Sequence, residues 1–182
     1  MKHFDYYIFI DYLQIWFNIL HLAVADLERQ KILRRNFLYS ENLIGYTILE
    51  TKKINELLPK ISRFRHYKDA RQKKLYLKNI KNTFKRENLL SYFLKCKIRS
   101  VKDTLEIFMD VGEFIKFHAN CLIFISVDDK QYLNFEKLVK FVDGESIKVV
   151  KESQLKEYSP EYKISLVLDN LLNIERLKNE TL

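Results

Sequence analysis

Tyr6-Tyr7-Ile8-Phe9-Ile10 is an unbroken apolar run that meets a carboxylate at Asp11. Cys121-Leu122-Ile123-Phe124-Ile125 passes through Ser126-Val127 into Asp128-Asp129. Short continuous runs, rich in isoleucine and aromatics, predict strands buried on both faces. Such strands belong to sheets with helices on both sides, and ligands bind such sheets at the carboxyl ends of the strands. A carboxylate closing an apolar run must find a partner or solvent. Two of them at neighbouring strand ends point to a site for a divalent cation and a phosphate ester.

The rest of the chain alternates. Leu13, Trp16, Phe17, Leu20, Val24 and Leu27 recur at helical spacing, and Leu43 to Leu49 has the tyrosine, threonine and isoleucine content of a strand. Lys52 to Leu58 predicts a short helix ending before Pro59, and Arg63 to Lys68 a strand or extended loop. Lys74 to Asn88 is helical, and Leu89 to Ile98 predicts a strand. A helix from Lys102-Asp103 is apolar almost all round, with a polar stripe at Asp103, Glu106, Asp110 and Glu113. After the 121–126 strand come a helix over Tyr132 to Phe141, a turn at Asp143-Gly144 and a strand at Ile147 to Val150. Ser159-Pro160 then reads as an N-cap with proline at the first helical position. With only 3 glycines and 2 prolines, a many-turned β sandwich is disfavoured. The alternation predicts one α/β domain over residues 1–177, with a doubly wound, mainly parallel five-stranded sheet. A basic insertion falls at about 52–74 and a fraying tail at 178–182.

Net charge is +8, the balance of a chain that meets a polyanion. The excess concentrates between Lys60 and Arg86, where Arg63, Arg65, Lys68, Arg71, Lys73, Lys74 and Lys78 outnumber a lone Asp69. Phe64, Tyr67 and Tyr76 are interleaved with them. Cations track phosphates and aromatics stack on unpaired bases, so single-stranded or structured RNA is the expected partner. These basic side chains lie in the segment with the least evident commitment to a core. Against binding stands the reading of a lysine-rich solvated face with its aromatics inside.

Other classes lose ground. The glycines at 45, 112 and 144 make no phosphate-binding loop, and Ser126 has no nucleophile-elbow glycines. His3, His21, His66 and His118 have no metal-ligand spacing, and His66 reads as part of the basic surface. Cys96 and Cys121 sit in apolar runs and read as buried free thiols. No stretch of about 20 uncharged apolar residues predicts a membrane span, and no secretory signal is visible, so a cytoplasmic setting is expected.

Phosphodiester hydrolysis needs charge neutralised at phosphorus and a water activated at neutral pH, which carboxylate-held Mg²⁺ or Mn²⁺ supplies. Asp11, Asp128 and Asp129 stand at expected strand ends, and Asp103 and Glu106 in the first turns of the preceding helix.

With these residues in view, the chain resembles the NYN family of PIN-like ribonucleases. Ile8-Phe9-Ile10-Asp11-Tyr12-Leu13-Gln14 is similar to the family's first strand and aspartate, with Gln14 where asparagine is expected. Lys102-Asp103 and Asp110 are similar to its lysine-aspartate pair and second aspartate. Ser126-Val127-Asp128-Asp129-Lys130 resembles its serine-glycine-aspartate signature, with Val127 for glycine and Lys130 for the second aspartate. The resemblance implies a sheet in order 3-2-1-4-5 and Mg²⁺- or Mn²⁺-dependent RNA cleavage. It implies Asp11, Asp103, Asp110 and Asp128 as catalytic carboxylates, with Asp11, Asp128 and Asp129 on the metal. The departures at Gln14, Val127 and Lys130 keep a second expectation open: an inactive protein of the same fold that binds nucleic acid or acts as a scaffold. A protein-interaction module, such as a homodimer through exposed aromatics, is a third.

Overall fold

The computed structural model of the protein describes residues 3–13, 42–126, 132–137 and 148–180. Five strands form one open sheet: β1 (Tyr6–Leu13), β2 (Leu43–Glu50), β3 (Phe93–Ser100), β4 (Cys121–Ser126) and β5 (Lys148–Lys151). Their order is β3-β2-β1-β4-β5, as expected. Their directions correct the expectation of a mainly parallel sheet. β1–β2 and β2–β3 pair antiparallel, while β1–β4 and β4–β5 pair parallel, so the sheet is mixed. The reason lies partly in the 51–92 connection. It leaves β2 where Thr51 N–H donates to the Asp5 carbonyl beside the start of β1, and it returns to begin β3 paired with Leu49. A connection that ends where it began sets the next strand antiparallel.

Among the described residues three longer helices cover the sheet: α1 (Lys73–Arg86), α2 (Thr104–Phe117) and α3 (Pro160–Glu180). Strand alternation sends Ile8 and Ile10 of β1 to one face, with Ile44, Tyr46, Ile48, Ile123 and Ile125. There α2 buries Ile107, Phe108, Val111, Phe114 and Ile115. Phe9 points the other way, stacks on Phe124 at 4.9 Å and packs in the cluster that holds α3 and α1. Each such buried side chain contributes roughly 1.5–3 kcal/mol of transfer free energy.

The 51–72 segment belongs to this second layer. It runs as short helical turns, Thr51–Lys53, Ile54–Leu57, Leu58–Ile61 and Tyr67–Asp69. Its commitment to the core is the least evident from sequence, yet Leu57, Ile61, Phe64 and Ala70 are buried. Lys163 Nζ donates to the Ser62 and Phe64 carbonyls, and Asn170 Nδ2 donates to that of Arg65.

The start of α3 follows its sequence signal. Ser159 Oγ accepts the Tyr162 N–H, capping α3 with Pro160 at its first position. That helix continues through Glu180. Residues 132–137 are helical, whereas the expected elements at 14–27 and 138–144 lie outside the described residues. Cys121 is buried, but Cys96 is exposed, because β3 is an edge strand. Among the described residues no helix is long and apolar enough to cross a membrane.

Candidate functional site

Asp11 lies on β1 opposite Gly45 in β2 and opposite Ser126 in β4. It shares a face with Phe9, so its carboxylate turns toward α3, and only 8% of the residue is exposed. Gly45 is what lets α3 come this close. A Cβ there would sit 3.2 Å from a Leu168 methyl and 3.0 Å from the Lys97 carbonyl. One residue beyond Leu168, α3 presents Asp169, also buried. The third acid is Glu152, the first residue after β5. Three carboxylates therefore come from the ends of two parallel strands and the middle of one helix.

Their electrostatics are strained in one direction. Asp11 is pushed well above the ordinary aspartate value by burial first, then by the charges of Glu152 and Asp169. The Tyr12 N–H, 2.8 Å from Oδ1, and Ser126 oppose that shift. Burial raises Glu152 to about 7 against hydrogen bonding from Ser126 and Ser165. Asp169 is raised by burial, with His66 and the Tyr67 N–H opposing. His66 Nε2 lies 3.3 Å from Asp169 Oδ1, and Tyr67 N–H donates to Oδ2 at 2.9 Å. His66 Nδ1 accepts the Lys68 N–H, which leaves Nε2 to donate. His66 is thus half-buried and paired, not simply part of the basic surface.

The expected carboxylates separate. Asp110 lies on the opposite sheet face, where the Tyr46 hydroxyl and Lys97 donate to it. Burial pushes Asp110 up, but those donors outweigh it and hold it below the ordinary value. Tyr46 faces α2 while Asp11 faces α3, so Asp110 and Asp11 do not share a pocket. Asp103 is exposed at the start of α2 and makes no cap. Glu106 pairs with Lys97 at 3.0 Å and Arg99 at 3.3 Å, and Glu113 is exposed. The stripe on α2 is largely an ion-paired face beside β3. Asp128, Asp129, Gln14, Val127 and Lys130 lie outside the described residues.

A groove of about 1390 Å³ has His66, the partner of Asp169, in its wall; none of the three acids lines it. The 59–71 segment, α1 and the start of α3 form its sides. Arg63, Arg65 and Arg71 line it; Lys68, Lys73, Lys74 and Lys78 are exposed but do not. Lys73 instead covers the Tyr67 ring at 5.4 Å. Two of the expected stacking aromatics are otherwise engaged. Phe64 is in the core, and the Tyr76 hydroxyl bonds both the N–H and the carbonyl of Arg65.

Sequence reasoning missed Glu152 and Asp169. Glu152 carries the same signal as Asp11, a carboxylate at the end of a strand. Asp169 sits on a polar row, Ser165, Asp169 and Asn173, at i, i+4 and i+8 of α3, with a further buried amide at Asn170. No protein-family model matches the sequence, and comparison with curated proteins gave no match.

Proposed function

We propose that this protein is a metal-dependent ribonuclease of PIN-like fold acting on RNA in the cytoplasm, with Asp11 at the centre of its site. The carrying observation is the mutual repulsion of buried Asp11, buried Asp169 and half-buried Glu152, with Asp169 paired to His66 in the wall of a cationic groove. The sheet order 3-2-1-4-5 supports the PIN-like reading, although β2 runs against both its neighbours. Carboxylate oxygens are the donors that Mg²⁺ and Mn²⁺ prefer, and mutually repelling buried carboxylates are the setting a dication relieves. Among the described residues no three acidic, histidine or cysteine side chains stand close enough to ligate one ion. Asp11 and Asp169 or Glu152 would contribute, and Asp128 and Asp129 remain the further ligands proposed from sequence. A bound dication supplies charge neutralisation at the phosphate and a more acidic water.

The chain's own residues supply the rest. Arg63, Arg65 and Arg71 hold phosphates along the groove. Ser126 orients Asp11 and Glu152. His66 fixes Asp169 and ties the groove wall to the acids.

One observation favours the binding-only alternative. Both Asp169 oxygens already have protein partners, His66 and the Tyr67 N–H, which is what a purely structural anchor would show. Cleavage of a labelled RNA separates the two. The ribonuclease reading expects cleavage in Mg²⁺ or Mn²⁺, none in chelator, and a loss of at least about a hundredfold in Asp11→Asn. RNA bound but never cut under these conditions would leave the binding protein.

A further inference from the structure

We infer that the groove takes a single strand of nucleic acid and that Tyr158 is the platform on which one of its bases stacks. This deepens the nucleic-acid reading and rests on it.

Tyr158 lines the groove at the start of α3 and is 78% exposed, the most exposed large hydrophobic side chain among the described residues. Its backbone is unusual as well. Ser159 N–H donates to the Lys156 carbonyl at 3.0 Å, closing a turn with Glu157 and Tyr158 at its centre. Tyr158 has φ 71°, the left-handed region where the third residue of a turn is ordinarily glycine or asparagine. An exposed tyrosine gains nothing in the fold from occupying that position. Strain kept without a packing return is the mark of a side chain held for contact with something else.

The surroundings say what that contact is. Across the groove stand Arg63, Arg65 and Arg71, which have no carboxylate partner among the described residues. Asn79 and Asn82 of α1 line the same groove with exposed side chains, each offering an amide donor and acceptor. Guanidiniums for phosphates, amides for base edges and one free ring for a base face are what an unpaired strand uses. A duplex hides its base faces, so it would meet the cations and leave the ring idle.

The test is fluorescence anisotropy of the full chain in chelator, with a labelled oligouridylate, the same length of duplex RNA, and a polyglutamate peptide. The single strand should bind tighter than the duplex or the peptide. Tyr158→Ala should weaken single-strand binding by about 5- to 100-fold, while Tyr158→Trp retains it. Tyr158→Gly should lose binding equally yet melt at or above the wild-type temperature, because glycine relieves the backbone. That combination distinguishes a base-stacking residue from a structural one. If Tyr158→Ala binds as wild type while replacing Arg63, Arg65 and Arg71 by alanine abolishes binding, the stacking inference falls and the nucleic-acid reading stands. Duplex or peptide bound as tightly as the single strand would also overturn it. No binding of any RNA would remove both.

Discussion

Asp11, Glu152 and Asp169 each hold a proton more tightly in the folded protein than an exposed carboxylate does. For Glu152 the shift runs from an ordinary 4.5 to about 7. Between those values the folded state binds more protons than the unfolded one, so stability falls as pH rises through that window. The contribution is full below the unfolded value and lost above about 7. The ion pairs on the α2 face act in the opposite sense and lower down. Hydrogen bonds from Lys97 keep Glu106 and Asp110 below their ordinary values, so their contribution is lost only as pH falls through those depressed values. Thermal melting in chelator should therefore show a decreasing melting temperature from about pH 5 to pH 8. Glu152→Gln should flatten that slope and be more stable than wild type at the upper end, by roughly 1–3 kcal/mol. A melting temperature that rises over the same interval would contradict the burial of these acids.

Helix α3 reaches the acids only because β2 has no side chain at Gly45. Gly45→Ala should push Leu168 away from the sheet and cost about 1–3 kcal/mol in denaturant unfolding. Unchanged stability would mean that α3 does not pack as closely as 3.2 Å from that position. The basic elements divide differently. Arg63, Arg65, Lys73 and Lys74 are all exposed, so replacing them by alanine should leave the melting temperature within a few degrees. RNA affinity should fall, and its salt slope should shrink by about 0.7 for each single-strand phosphate that is no longer neutralised. Equal binding by wild type and the quadruple variant would reduce these cations to a solvated face. What the sequence makes legible follows from periodicity. β1, β2, α1, α2, β4 and the capped start of α3 stand close to where apolar spacing puts them, because each buries a face of its own. The 52–74 segment is not legible in the same way. Leu57, Ile61 and Phe64 are buried one at a time from short turns, so no period announces them. Strand direction is equally hidden, since a run buried on both faces reads the same in either sense. The site is half legible. Asp11 closes an apolar run, but Asp169 is visible only as a polar row within a helix, and Asp110 shares that pattern while facing the other side of the sheet.

At the scale of the whole molecule, the sheet separates two kinds of charge. Its α2 face carries paired acids and cations beside β3, whereas its α3 face carries acids with raised proton affinity on the same side as Arg63, Arg65 and Arg71 of the groove, which have no carboxylate partner among the described residues. That asymmetry is the physical basis for placing both chemistry and nucleic acid on the α3 side. It makes Asp11→Asn an unusually clean probe, because neutralising a buried, repelled carboxylate should not weaken the fold at neutral pH. The most direct test is calorimetric titration of the metal-free protein with Mn²⁺ at about pH 7.5, comparing wild type with Asp11→Asn and Asp110→Asn. The account predicts saturable binding to wild type with proton release, unchanged in Asp110→Asn and weakened at least about tenfold in Asp11→Asn. Binding that ignores Asp11 but fails without Asp110, or no Mn²⁺ binding at all, would contradict it.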